Sequence, residues 1–173
     1  MRRNLVNYLA MTDKVDEILT ILSRDSRTSI ETIAEMVALT PDEVRAAIDD
    51  CEKRGIIKRY MTVIDWEKNG SDKVVAFIDI NVRPARDVGF DAIALRIARY
   101  PQVQSVWLVS GGADLRVAVE APNLRELANF VAEKLATIDG VTGTVTHFLL
   151  RRYKEDQVLF VDNEIDDRLI VAP

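Results

Sequence analysis

Two short stretches concentrate the side chains that could do chemistry. The first is "EKRGIIKR", residues 52–59, where Lys53 and Arg54 precede Gly55, and Lys58 and Arg59 follow it. Clustered cations of this kind suit phosphate oxygens, because a nucleic-acid backbone is a dense line of negative charge held mainly by lysine and arginine. The stretch ahead of it runs the other way: "LTPDEVRAAIDDCEK" carries Asp42, Glu43, Asp49, Asp50 and Glu52 against Arg45 and Lys53. The second stretch is "SGGAD", residues 110–114. Gly111 and Gly112 let a ligand approach the backbone, and the loop amides can meet a carboxylate. Asp114 can pair with an ammonium group through a charge-assisted hydrogen bond. It serves equally well as a turn residue bonded to its own backbone.

Other chemistries are poorly supplied. "SGGAD" has neither the GxGxxG spacing nor the lysine of a phosphate-binding loop. Ser110 has no visible base, since His147 is the sole histidine and belongs to a different strand. His147 itself reads as a partly buried strand residue rather than a catalyst. With Cys51 the sole cysteine, no internal disulfide and no cysteine metal cluster can form. No catalytic residue, metal or cofactor is therefore expected. The 173 residues are 48% apolar and 29% charged, an ordinary globular composition with room for one domain or two small ones. A net charge of −5 argues against indiscriminate nucleic-acid binding but leaves room for a local basic patch. The N-terminal "MRRNLVNYLAM" is too interrupted for a secretory signal, and no stretch approaches the ~20 apolar residues of a membrane span. No membrane association is expected, and a reducing cytoplasm is the expected setting.

The elements that must position the first stretch fall in residues 1–65. Val15, Ile18, Leu19 and Leu22 recur at helical spacing, as do Ile30, Ile33, Ala34 and Val37, and then Val44, Ala47, Ile48 and Cys51. Each set is one apolar stripe on a helix. Thr28 with Glu31, and Thr40 with Glu43, match the capping box. Pro41 suits the first position of the third helix and Gly55 its end. After Gly55 the period changes, and "IIKRYMTVID" reads as a strand with Ile57, Met61 and Val63 on one face. Three helices and a strand in this order predict a winged helix-turn-helix, whose third helix enters the major groove of DNA. A three-helix interaction module that touches no nucleic acid fits the same pattern.

A polar linker, residues 66–72, leads to a second domain over 73–154. "KVVAFIDINV" is a strand, and Phe90, Ile93, Ala94 and Ile97 make a helical stripe ending before Pro101. Residues 103–110 and 114–120 are strands joined by a glycine-bearing hairpin. Asn123 caps a long helix with Leu124, Leu127, Ala128, Val131, Leu135 and Ile138 on its buried face, and residues 141–153 form the last strand. The order β-α-β-β-α-β predicts a ferredoxin-like sheet with both helices on one face, so the whole chain is α+β. If Ala76, Ile78 and Ile80 face the helices, Phe77 and either Trp107 or Leu108 lie on the open face. Large apolar groups there need a cover, and a second copy of the chain is the expected one. A homodimer would also present two helical modules to paired DNA half-sites. In the extension 155–173, Val158–Val161 and Leu169–Val171 could form a hairpin around "DNEIDD" or an arm packing on a neighbour, and a disordered acidic tail fits the same composition.

With "DEILTILSRDSRTS", "IAEMVALTPDEV", "EKRGIIKRY" and above all "VSGGADLRVAVE", the sequence resembles the Lrp/AsnC family of bacterial and archaeal transcription regulators, over about residues 13–153. The resemblance implies a winged helix-turn-helix followed by a ferredoxin-like, ACT-like effector domain that dimerises through its sheet and often builds tetramers or octamers. It implies an amino acid or related small molecule bound at an interface between dimers. The family's V-S-G-x-x-D pattern falls on Val109, Ser110, Gly111 and Asp114, so Ser110, Gly111, Gly112 and Asp114 are the expected effector residues. The expected contacts to double-stranded DNA are Arg27, Thr40, Asp42, Arg45, Asp49, Lys53, Arg54, Lys58 and Arg59. Where family recognition helices usually carry arginine or lysine, this chain has Ala47, Asp49 or Asp50. Its DNA binding is accordingly expected to be selective and modest in affinity. One alternative is a sensor that co-assembles with a related regulator. Another is an enzyme like the siroheme decarboxylases, which share the two-domain layout but would need more histidines than this chain has.

Overall fold

The structure is a computed structural model that describes residues 2–83 and 89–161, with the backbone alone for residues 2–12. The chain divides into two compact units, Met1–Val63 and Ile64–Pro173. The first holds α1 (Arg2–Arg24), α2 (Ile30–Val37) and α3 (Pro41–Lys53). The three stripes meet as expected. Ile18, Ile33, Ala34, Val37 and Val44 form a dry cluster, and Ile21, Leu22, Ile30, Leu39, Ala47 and Ile48 pack around it. Fully burying one such side chain contributes ~1.5–3 kcal/mol.

Helix punctuation sets the path between these elements. Thr40 and Glu43 form the reciprocal capping box with Pro41 at the first turn. At the other end Gly55 adopts φ +69°. Its amide bonds the Glu52 carbonyl at 2.9 Å, and the Ile56 amide bonds Cys51 at 2.8 Å. That is a Schellman closure, which needs a left-handed residue and so favours glycine. The expected box at Thr28 and Glu31 does not form. The cap of α2 is Ser29, whose hydroxyl accepts from the Thr32 amide at 3.1 Å. Thr28 instead donates to the Asp25 carbonyl at 2.9 Å, so the turn after α1 claims its hydroxyl.

The expected wing strand is also absent. Residues 56–65 pair with no other described segment, and Met61 is 65% exposed. β-branched composition makes a segment fit for a sheet, but a strand exists only when a neighbour completes its hydrogen-bond ladder.

In the second unit, β1 (Val74–Val82), α4 (Asp91–Ala98), β2 (Val103–Leu108), β3 (Leu115–Ala121), α5 (Leu124–Phe130) and β4 (Val141–Phe148) follow in order. The sheet order is β2-β3-β1-β4, antiparallel throughout, which is the ferredoxin-like arrangement. Ala76, Ile78 and Ile80 are buried on the helix-covered face, as their alternation requires. Ile97 from α4 and Phe130, Leu135 and Ile138 from the second helical segment share one core with β1 and β3.

That second segment is not one regular helix. After α5 the chain makes a π-turn, Val131–Leu135, in which the Ala136 amide reaches back to the Val131 carbonyl at 2.8 Å. The inward residues of the segment are Leu127, Phe130, Leu135 and Ile138, with Val131 packed beside them, whereas Leu124 and Ala128, both expected to be buried, lie on α5 and are exposed. β4 stops at Phe148 rather than continuing to residue 153. Beyond it Lys154–Glu155 (β5) pairs with Val158–Leu159 (β6) through Asp156 and Gln157, both at positive φ. Val158 and Leu159 are thus taken by a two-residue turn, and the expected partner 169–171 lies outside the described residues.

Candidate nucleic-acid interface and effector site

α3 carries its acids, but most are occupied locally. The Arg45 guanidinium meets Asp42 at 2.8 Å, and Arg54 meets Asp50 at 2.9 Å. Glu43 is consumed by the cap: its carboxylate accepts the Thr40 amide and hydroxyl, each at 2.8 Å. The amide bond, with the hydroxyl next, holds the Glu43 carboxyl below its ordinary range. Glu52 accepts the Tyr60 hydroxyl at 2.8 Å. Burial, then that bond to Glu52, pushes the Tyr60 phenol up to about 12. Only Asp49 among these acids has no side-chain partner among the described residues. Two of the five acids of α3 are thus neutralised by arginines, while Glu43 and Glu52 are held by neutral donors and keep their charge.

Its basic end is open. Lys53, Lys58 and Arg59 are exposed, as is Arg27 in the separate turn between α1 and α2. A Cβ on Gly55 would lie 3.2 Å from the Lys58 ammonium, so Lys58 folds back over the last turn of α3. Free carbonyls there favour a cation. The Thr40 hydroxyl is committed to the cap, and Arg45 must leave Asp42 to reach a phosphate. Both partners of that pair are exposed, so parting them costs no more than ~1 kcal/mol. Cys51 is buried, and burial pushes its thiol up, as suits a packing residue.

The hairpin 109–114 closes with the Val109 amide on the Asp114 carbonyl at 2.9 Å. Gly111 has φ +127°, a conformation that a side chain resists, and Ser110, Gly111 and Gly112 are exposed. Asp114 does something that neither expectation for it contained. Its amide donates to the Ile80 carbonyl at 3.1 Å, and its Oδ2 accepts the Val82 amide at 2.8 Å. β3 begins only at Leu115 while β1 runs on past Ile80, so the carboxylate stands in for the missing strand and satisfies the next β1 donor. No described donor reaches Oδ1.

The open sheet face combines apolar and charged groups. Register places Trp107, Arg116, Asp79 and Val145 in one cross-strand row, and Ser105, Ala118, Phe77 and His147 in the next. Trp107 is 46% exposed and Phe77 half-buried. Leu108, opposite buried Leu115, turns to the helix-covered side. Arg116 forks onto Asp79 at 2.7 and 2.8 Å, and His147 Nε2 stands 3.4 Å from the same carboxylate. The Arg116 bond holds the Asp79 carboxyl below its ordinary range, against a partial desolvation that pushes the other way. Asp79 and Arg116 were not among the residues singled out from the sequence. Their signal, a charge inside each of two apolar strands, becomes a pair only once the strands are set in register.

Among the described residues no helix is long and apolar enough to cross a membrane, and no cluster of His, Cys, Asp or Glu could hold a metal ion. Comparison with known proteins fits this geometry. Residues 13–58 match the winged helix-turn-helix DNA-binding family, and residues 75–159 match the Lrp/AsnC ligand binding domain. The chain is 43% identical to YugG of Bacillus subtilis, described as an uncharacterized HTH-type transcriptional regulator, over 95% of this chain and all of that one. Similar solved structures include a transcriptional regulator of Neisseria meningitidis in complex with L-Met. It has a TM-score of 0.67 and 24% identity, over 82% of this chain and 91% of that one. AsnC of Escherichia coli superposes with a TM-score of 0.65 at 20% identity, over 83% and 94% of the two chains. The chain belongs to the Lrp/AsnC family of transcriptional regulators. It is a DNA-binding regulator whose second unit is a ligand-binding domain.

Proposed function

We propose that this regulator binds double-stranded DNA as a homo-oligomer in the cytoplasm, under the control of an amino acid or related small molecule. The observation that carries the DNA reading is the pairing of Asp42 with Arg45 and of Asp50 with Arg54, beside an exposed basic end at Lys53, Lys58 and Arg59. The basic end would hold phosphates, while Arg45 and Asp49 would face bases, aspartate accepting from cytosine. Thr40, Asp42, Arg54 and Arg27 would border the same surface. Trp107 and Phe77, with Val145, would seal the sheet face against a second copy and present two helical units to paired half-sites. The effector would sit at the hairpin, its carboxylate on the amides of Ser110, Gly111 and Gly112 and its ammonium on Asp114 Oδ1. The Neisseria relative seen with L-Met supports that ligand class.

Selection of bound sequences from random duplex DNA, with and without a panel of amino acids, tests the whole reading. A recovered two-fold-symmetric site whose occupancy changes with one amino acid is the expected result. Recovery of no sequence would replace it with a sensor that acts by joining a related regulator. Light scattering that finds a monomer at micromolar concentration would remove the paired half-sites.

A further inference from the structure

An acid stands inside the basic end of α3. Glu52 is the one carboxylate among residues 52–59, beside Lys53 and ahead of Lys58 and Arg59. On charge alone it is a defect, because it repels the phosphates that its neighbours attract. Its contacts give it a different use.

The chain leaves α3 through three backbone bonds. The Gly55 amide donates to the Glu52 carbonyl at 2.9 Å, and the Ile56 and Ile57 amides both donate to the Cys51 carbonyl, at 2.8 and 3.2 Å. Ile57 is half-buried, but residues 58–63 are all exposed. Among the described residues, one hydrogen bond ties 58–63 back to the helix, that of the Tyr60 hydroxyl to Glu52 Oε1 at 2.8 Å. The phenol, pushed up to about 12 by burial and then by Glu52, keeps the proton that it donates. Lys58 and Arg59 therefore sit on a short bridge. One end is fixed at Cys51 through Ile57, and the other at the adjacent Glu52 through Tyr60. Ordering a free segment costs backbone entropy, and a segment ordered beforehand adds none of that cost to binding.

We propose that Tyr60 is a positioning residue for DNA binding: its hydroxyl, held by Glu52, pins the segment so that Lys58 and Arg59 meet phosphates already in place. This role rests on the basic end holding phosphates, as proposed above. It makes the acid an anchor for two cations. A tyrosine on such a surface has a rival role, in which the hydroxyl leaves Glu52 and donates to a phosphate directly.

Fluorescence anisotropy of the full chain on a labelled duplex of mixed sequence, in low salt, separates the two roles. Tyr60→Phe should weaken binding about fivefold, the factor that one bond of ordinary net strength supports. Glu52→Gln and Glu52→Ala lose the same charge, but glutamine still offers the hydroxyl an acceptor. Alanine should therefore bind about fivefold more weakly than glutamine, by the same bond. In a Tyr60→Phe background that gap should close, because the bond it reports is already gone. Both positions are exposed, and thermal unfolding by circular dichroism should find every variant folded. Equal binding by Glu52→Gln and Glu52→Ala, or a gap that persists without the hydroxyl, would overturn the positioning role. So would unchanged binding in Tyr60→Phe where Lys58→Gln is weakened. If Lys58→Gln itself binds as wild type does, the phosphate reading of the basic end falls first, and this role falls with it.

Discussion

Asp114 joins the start of β3 to β1, and two substitutions separate what its shape does from what its charge does. Alanine removes the acceptor from the partly buried Val82 amide. The bond lost is charge-assisted, in a class that contributes ~1.5–3 kcal/mol, and the amide left behind is only partly rehydrated. We expect Asp114→Ala to cost about 2 kcal/mol. With a urea slope near ~2 kcal/mol per molar, that lowers the unfolding midpoint by about 1 M. Asparagine still offers an oxygen to Val82, so it keeps a neutral bond of ~0.5–1.5 kcal/mol and should lie about halfway between wild type and alanine. Urea unfolding followed by circular dichroism measures both variants, and calorimetry then adds the ligand. If Oδ1 also holds an ammonium group, asparagine will bind the amino acid ~1.5–3 kcal/mol more weakly in a chain that is still folded. An alanine variant within ~0.5 kcal/mol of wild type would refute the ladder-closing role. An asparagine variant as unstable as alanine would show that charge, not acceptor geometry, is what Val82 needs.

Three further outcomes follow from the same geometry. Asp79 has its carboxyl lowered in the folded chain, so its contribution is present above the unfolded carboxylate range, near ~3.9, and is lost as pH falls through the lower folded value. Asp79→Asn should therefore flatten the acid limb of a stability-against-pH curve, and an unchanged limb would deny the pairing with Arg116 any energetic role. Gly140 has φ +90°, and a Cβ there would lie 2.8 Å from Ile93 Cδ1 and 3.3 Å from the Arg83 carbonyl. Gly140→Ala should thus destabilise by more than ~1 kcal/mol in thermal unfolding; a neutral result would mean that α4 yields easily. Replacing Lys58 by glutamine should weaken binding to every DNA sequence and lower the salt slope by ~1, measured by fluorescence anisotropy across salt concentrations.

What could be read from the sequence depended on how local the cause was. The stripe Ile33, Ala34, Val37 and the run Ala76, Ile78, Ile80 were legible because burial repeats at the period of the element itself. The Thr40–Glu43 cap was legible because the whole device spans four residues. Thr28 misled because Ser29 follows it immediately, and the Asp25 turn decided which hydroxyl was left for α2. The π-turn at Val131–Leu135 is a one-step shift in hydrogen bonding that no break in the apolar pattern marks. The segment 56–65 has a strand's composition but no pairing neighbour among the described residues. At the candidate sites, glycine in the hairpin was legible as backbone chemistry. Asp114 on Val82 and Arg116 on Asp79 both depend on register between distant segments, which one sequence does not display.

The internal pairing of Arg45 with Asp42 has a consequence at the scale of a genome. A regulator must find a few sites among millions of competing stretches that share the same phosphate backbone. Attraction to those stretches is almost wholly electrostatic, so an arginine that already owns an anion loses most of its pull toward random sequence. At a matching site the cost of parting the pair is the same small quantity, but directional contacts to base edges are added against it. On the proposed DNA reading, the acids of α3 lower absolute affinity while raising the ratio of right to wrong sites, and leave more of the protein free to search.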